Sequence, residues 1–247
     1  MQAVDLDIFL QAARALLAGH TPYIVGYYNP PWLMAIFAPM ALMPYIVARV
    51  LWFCISAVLF YKVARHHTHS RLDAIAFMLS FPVLASLQQG NIESLVLIGL
   101  LLPASWGNVI LAIKPQMAVG ALLYNLRYRP KSVLPLAIIT VLSIWAFGPW
   151  PLALKAAREY TQPWNVAFWW PYLAPMGAWL VWKGIVSKQP LLCIAASVFL
   201  SPYVGVTSLC VLWLPLLRVR RASMWATLAS WVVALGLLTN RLLCGRI

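Results

Sequence analysis

Charge is scarce in this sequence. Asp, Glu, Lys and Arg make up 9% of its 247 residues, against about a quarter in an ordinary globular domain. So few charges cannot clothe a water-exposed surface, which excludes a soluble enzyme and equally a disordered or fibrous chain. Acids are scarcer still: five Asp and Glu stand against 18 Lys and Arg, a formal net charge of +13. The four cysteines show no metal-ligand spacing. Cys54, Cys193 and Cys210 lie in apolar runs and Cys244 is near the C-terminus, so buried thiols are expected. The opening MQAVDLDIF has no basic segment leading into an apolar core, so no signal peptide is expected. Repeats and linkers are lacking too, and a single domain over 1–247 is expected.

Apolar residues are abundant, at 63%. A crossing helix takes about 20 of them, so roughly eight to ten crossings fit the length. The 13 Trp suit interfacial belts. The fold class expected is all-α, a polytopic helical membrane protein. Amphipathic helices outside the membrane occupy 1–44 and a transmembrane bundle occupies 45–240.

Residues 3–18 carry Leu6, Phe9, Leu10, Ala13, Leu16 and Leu17 as one helical stripe, with Asp7, Gln11 and Arg14 opposite. This predicts an amphipathic helix lying at the interface and ending at Gly19. Asn29 is placed to cap a short second helix with Pro30 at its first position. Spans are expected over 45–64, 72–87 with a break at Pro82, 92–103, 132–150, 168–186 and 223–239. Two hairpins broken at Lys114-Pro115 and Ser201-Pro202 occupy 108–126 and 190–217. Loops at 62–71, 127–131, 183–188 and 218–221 hold three, three, two and three Lys/Arg, 11 of the 18. Positive-inside then puts these loops in the cytoplasm of a multi-pass inner-membrane protein.

The acids can be weighed singly. Asp73 beside Arg71 reads as a helix N-terminal residue. Asn91 reads as a helix cap and Glu93 as its first-turn dipole partner. Glu159 reads as a solvated pair with Lys155. Asp5 falls at the edge of the apolar stripe, pointing toward a cavity or serving as a simple cap. Lys114 is an ionisable residue inside an apolar run, which is costly and marks a cavity or partner. At a helix break it suits a phosphate, or it snorkels. Arg14, Arg49 and His20 share its predicted side and read singly as headgroup contacts. His66, His67 and His69 are too few for a metal site.

Several segments recur in a known order. They are Asp5-Leu6-x-x-Phe9-x-x-Ala12-Ala13, Leu17-x-Gly19-x-x-Pro22-Tyr23 and Tyr28-Asn29-Pro30-Pro31. Pro39, Pro44, Leu51-Trp52 and Gln89-Gly90-Asn91-Ile92 follow. Ala112-Ile113-Lys114-Pro115 and Leu200-Ser201-Pro202-Tyr203 complete the series. The order resembles glycosyltransferase family 87, mannosyltransferase-like members of the GT-C superfamily. The resemblance implies a polytopic enzyme that inverts a polyprenyl-phosphate sugar, often mannose. Transfer goes to a lipid-linked or glycan acceptor on the outer face, with no nucleic acid and no cofactor; the phosphate already carries the leaving ability, so the chemistry does not require a metal. By resemblance Asp5 (alternatively Asp7) is the catalytic base. Lys114, with Arg14, Arg49 and His20, meets the donor phosphate. Tyr28, Asn29, Gln89, Asn91, Ser201 and Tyr203 line the cavity. The chain departs from the family in having Phe9 where tyrosine is usual. Its Val204-Gly205-Val206 is less polar than the family's segment, and it shows no transmembrane helix ahead of the acidic segment. An inactive accessory or lipid-binding subunit and a small lipid transporter are the rival readings.

Overall fold

A computed structural model describes residues 4–23, 26–153 and 165–244. The expected Lys155–Glu159 pair lies outside these residues. All regular elements among the described residues are helical.

The first helix, α1 (Val4–Leu17), buries Leu6, Phe9, Leu10, Ala12 and Ala13, close to the predicted stripe. Leu17 drops out of that stripe, being 51% exposed. Gly19 ends the helix at φ +79, a left-handed turn that lets His20 N–H reach Ala15 O at 2.9 Å. α1 packs on α2 (Met34–Ala41). Phe9 stacks on Phe37 at 4.9 Å, and Phe37 meets Trp52 at 4.8 Å. The rings give the apolar stripe a protein partner.

The turn before α2 starts one residue later than the sequence suggests. Pro31, not Pro30, opens the 3-10 turn Pro31–Leu33, and Asn29 caps nothing there. The reason is the second proline: a residue preceding proline is driven out of the helical region, and Pro30 is extended at ψ 147.

The long α3 (Tyr45–His67) follows, then α4 (Arg71–Met78) and α5 (Phe81–Gln89), bent 54° apart. The bend falls at Leu79-Ser80, ahead of Pro82. Proline sits comfortably in the first turn of α5, where its missing N–H has no partner to lose. The expected 92–103 helix shrinks to α6 (Glu93–Ile98). The next strip of chain turns to let Gly99 and Gly107 touch, so closely that a Cβ on Gly107 would lie 2.5 Å from Gly99 O. Then come α7 (Ala104–Leu111), α8 (Pro115–Tyr128) and α9 (Leu134–Phe147), followed by α10 (Ala174–Val186) and α11 (Pro190–Leu200). A 3-10 segment Val206–Leu212 leads into α12 (Trp213–Leu216), and α13 (Ala222–Cys244) closes the chain. Both hairpin breaks fall where expected, at 112–114 and 201–205.

Fewer helices are long enough to cross a membrane than the eight to ten that length allows. Among the described residues α3 and Pro130–Phe147 qualify, and the bent pair α4–α5 makes a third if it is one span. Proline and glycine breaks cut most other apolar runs to 17 residues or fewer. The long helices turn apolar side chains outward. On α9, Ile138, Val141 and Leu142 are exposed and Trp145 is 86% exposed. Such faces suit hydrocarbon better than water.

Small residues bring the helices together. Gly120 on α8 touches α11 so tightly that a Cβ would meet Cys193 O at 1.8 Å, and Gly120 N–H donates to Ser197 Oγ at 3.0 Å. α13 runs beside α4 on a polar ladder. Ser223 Oγ donates to Asp73 Oδ1, Thr227 Oγ1 to Ala76 O and Trp231 Nε1 to Leu79 O, each at 2.8 Å. The donors recur every four residues, one face of a helix. Two of the acceptors are carbonyls at the end of α4, where no intrahelical donor follows.

Two of the basic loops, 127–131 and 183–188, fall at one end of the α8–α11 pair. α8 runs from Lys114 to Arg127–Lys131, and α11 from Lys188 to Ser201. Tyr128 OH donates to Ile185 O at 2.5 Å, joining two of the loops.

Candidate functional site

Between Asp73 and Arg127 the chain carries only two charged residues, Glu93 and Lys114. They form the one ion pair found among the described residues, Nζ to Oε1 at 2.5 Å. Glu93 is fully buried. Besides Lys114 it accepts from Thr207 Oγ1 at 2.5 Å, Ser208 Oγ at 3.4 Å and, on its other oxygen, Ser86 Oγ at 3.3 Å. A buried carboxylate is tolerable on such terms, with a countercharge and hydrogen bonds to both oxygens. Glu93 is therefore a cross-helix anchor rather than the dipole partner expected from its place in the first turn.

Asn91 connects this pair to α1. Its Nδ2 donates to Asp5 Oδ2 at 2.8 Å and to Thr207 Oγ1 at 3.3 Å. Its Oδ1 accepts from Ile92 N–H at 2.8 Å and from Lys114 Nζ at 3.4 Å. The amide does not cap α6 in the usual way, because the flanking residue is Ile92. It is spent joining three separate stretches of chain. Its position is set from below: Gly90 takes φ +69, ending α5, and Asn91 N–H bonds Ser86 O at 3.0 Å. Trp52 Nε1 then donates to both Gly90 O and Asn91 O, at 3.0 and 3.3 Å.

Burial pushes the Asp5 carboxyl up to about 6; the charge of Lys114 pulls it down and that of Glu93 pushes it further up. Tyr203 comes close enough for Lys114, Asp5 and Glu93 all to act on it. Its loop is held by Ser201 Oγ, which donates to Tyr203 O at 2.6 Å, and by Asn165, which donates to Pro202 O at 2.9 Å and accepts from Val204 N–H at 3.0 Å. Glu93, Lys114, Thr207, Ser86 and Ser208 are buried, whereas Asp5, Asn91 and Tyr203 are half-buried. The cluster thus has a closed charged interior and an open edge formed by the other three.

Asp5, Asn91, Lys114, Ser201 and Tyr203 therefore gather. Gln89 ends α5 two residues before Asn91, half-buried. Arg49 lines a groove of about 460 Å3 with Leu6, Trp52 and Gly90, next to the cluster. Arg14 and His20 are not brought in. Nine residues of helix place Arg14 about 14 Å along the axis from Asp5, where its Nε donates to Ala41 O at 3.2 Å. His20 is exposed beyond the end of α1, and Tyr28 and Asn29 are half-buried in the loop before α2. Asp7 is half-buried on α1, two residues from Asp5. Asp73 is buried, its N–H donating to Ser70 Oγ and its carboxylate bonded to Ser223. Ser70 is thus the cap, and Arg71 plays no part in holding Asp73. No group of three His, Cys, Asp or Glu among the described residues is placed to hold a metal.

Sequence reasoning missed Thr207, Ser86, Ser208 and Asn165. A serine or threonine in an apolar helix gives no sign of its target. The pairing of Glu93 with Lys114 did leave a sign: a lone acid and a lone base in one long apolar stretch must find each other or face water. No family model, curated protein or solved structure matches the chain.

Proposed function

We propose that the chain is a polyprenyl-phosphate-sugar-dependent glycosyltransferase of the family 87 type, inverting, with Asp5 as general base. One observation carries the reading: Asp5, Asn91 and Lys114, from three distant motifs, meet in one polar cluster with Asp5 on its open edge. In this reading Asp5 takes the proton of the acceptor hydroxyl as that oxygen attacks the anomeric carbon. Polyprenyl phosphate departs as an anion. General-base assistance of this kind is worth about 10²–10⁴-fold. Lys114 is already matched by Glu93, so it serves as a positioning residue that orients Asn91 and, through it, Asp5. Arg49 is then the cation left to meet the donor phosphate, and the apolar walls of its groove suit an isoprenoid chain. The acceptor is a lipid-linked or glycan hydroxyl on the face opposite the basic loops.

The internal neutralisation of Lys114 favours a second reading, an accessory lipid-binding subunit without turnover. A membrane assay with a panel of polyprenyl-phosphate sugars separates the two. Transfer that drops at least a hundredfold in Asp5→Asn supports the enzyme. Full activity in Asp5→Asn excludes Asp5 as the base, and binding without transfer of any donor supports the accessory subunit.

A further inference from the structure

At the other end of the bundle, a cavity of about 520 Å3 opens where α4 and α13 begin. Arg220 and Arg221 stand at it, together with Ser70 and Asp73. Its remaining walls are apolar and face outward: Leu72 is 66% exposed, Trp225 70% and Leu228 57%. The cavity is therefore cationic at one side and greasy at the other.

The charges are available. Among the described residues no carboxylate lies within ion-pair distance of either guanidinium. Asp73 is turned to Ser223, whose Oγ donates to its Oδ1 at 2.8 Å. Two arginines against one carboxylate leave one net positive charge, which suits a singly charged phosphodiester. Both helices begin here, and the positive ends of their dipoles add to the preference for an anion. Guanidinium forks match phosphate oxygens in pairs.

We propose that this cavity binds an anionic glycerophospholipid. Its phosphodiester sits between Arg220 and Arg221, and its chains run down over Leu72, Trp225 and Leu228. The site is separate from the Asp5 cluster and does not depend on transferase activity.

The test uses the full chain, purified in detergent and analysed by native mass spectrometry against phosphatidylglycerol and phosphatidylcholine. Arg221 has φ +63, so Arg221→Gly removes its charge while keeping the backbone. Arg220→Gln completes the pair. Two basic residues at about 1 kcal/mol each predict a roughly thirty-fold preference for phosphatidylglycerol in the wild type. The Arg220→Gln, Arg221→Gly double variant loses that preference, and Arg220→Gln alone loses part of it. Arg129→Gln with Lys131→Gln, an equal charge loss elsewhere on the basic end, keeps it. The proposal falls if the wild type shows no preference or if the control pair loses it equally. It also falls if soluble glycerol phosphate displaces the lipid at equal concentration, which would mark a free-phosphate site.

Discussion

Asn91 donates its side-chain amide to Asp5 across 2.8 Å, joining α1 to the turn between α5 and α6. That bond holds the carboxylate at the rim of a buried charged cluster rather than in open water. The bond occupies one lone pair of Oδ2 and leaves the carboxylate further acceptor capacity.

The pH dependence follows from the burial of Asp5. Its carboxyl is raised from 3.8 to about 6, and a base works only when ionised. Transfer activity, as kcat/KM, is expected to rise with pH through about 6 and then level off. Asp5→Asn removes that limb. Stability runs the other way. The folded chain holds this proton more tightly than the unfolded chain, so the Asp5 contribution to stability declines between about 4 and about 6 and is constant above. An activity profile flat through pH 6 would exclude Asp5 as the titrating base.

The Lys114–Glu93 pair separates positioning from packing. Lys114→Met alone leaves a buried carboxylate without its countercharge and should cost about 3–5 kcal/mol. Adding Glu93→Gln removes the orphaned charge and should restore most of that loss in thermal unfolding. Folded but with Asn91 no longer held by Lys114, the double variant should lose kcat while its donor KM stays near that of the wild type. A rise in KM with kcat unchanged would instead place Lys114 on the donor phosphate.

Much of this architecture was legible in the chain, and the exceptions share a cause. The amphipathic face of α1 and the breaks at Lys114-Pro115 and Ser201-Pro202 are local, set by periodicity and by proline. Lys114 could be singled out as an ionisable residue in a costly place, whereas Asp5 and Asn91, read alone, pass for helix caps and stand out only through the family resemblance. What stayed hidden was partnership at long range. Glu93 looks like a dipole partner until Lys114 arrives from 21 residues away. Trp52 looks like a belt residue until its N–H meets Gly90 O. The number of crossings has a different cause: apolar content counts residues, and the helix breaks decide how many stay continuous, which among the described residues leaves two or three helices long enough to cross.

Close packing at Gly120 gives a stability test independent of function. A methyl group there would sit 1.8 Å from Cys193 O, and backbone cannot yield as a flexible side chain does. Gly120→Ala should destabilise by at least about 1–3 kcal/mol in thermal unfolding. Gly236→Ala meets nothing within 4 Å and should be neutral or stabilising by about 0.5–1 kcal/mol, since alanine favours helix. Equal effects at the two sites would mean that α8 and α11 do not approach as described.

The membrane topology can be read by thiol labelling. α3 is the first helix long enough to cross, so residues before Tyr45 and after His67 should lie on opposite faces. Thr21, His69 and Ser187 are all exposed and can each be changed to cysteine in a chain whose exposed Cys54 is replaced by serine. An impermeant maleimide should label Thr21→Cys on intact cells. It should reach His69→Cys and Ser187→Cys only after permeabilisation, because positively charged loops stay inside. The pairing of Tyr128 with Ile185 puts two basic loops together, so Ser187 tests them jointly. Labelling of Thr21→Cys and His69→Cys from the same side would remove α3 as a span, and with it the placement of the Asp5 cluster on the outer face.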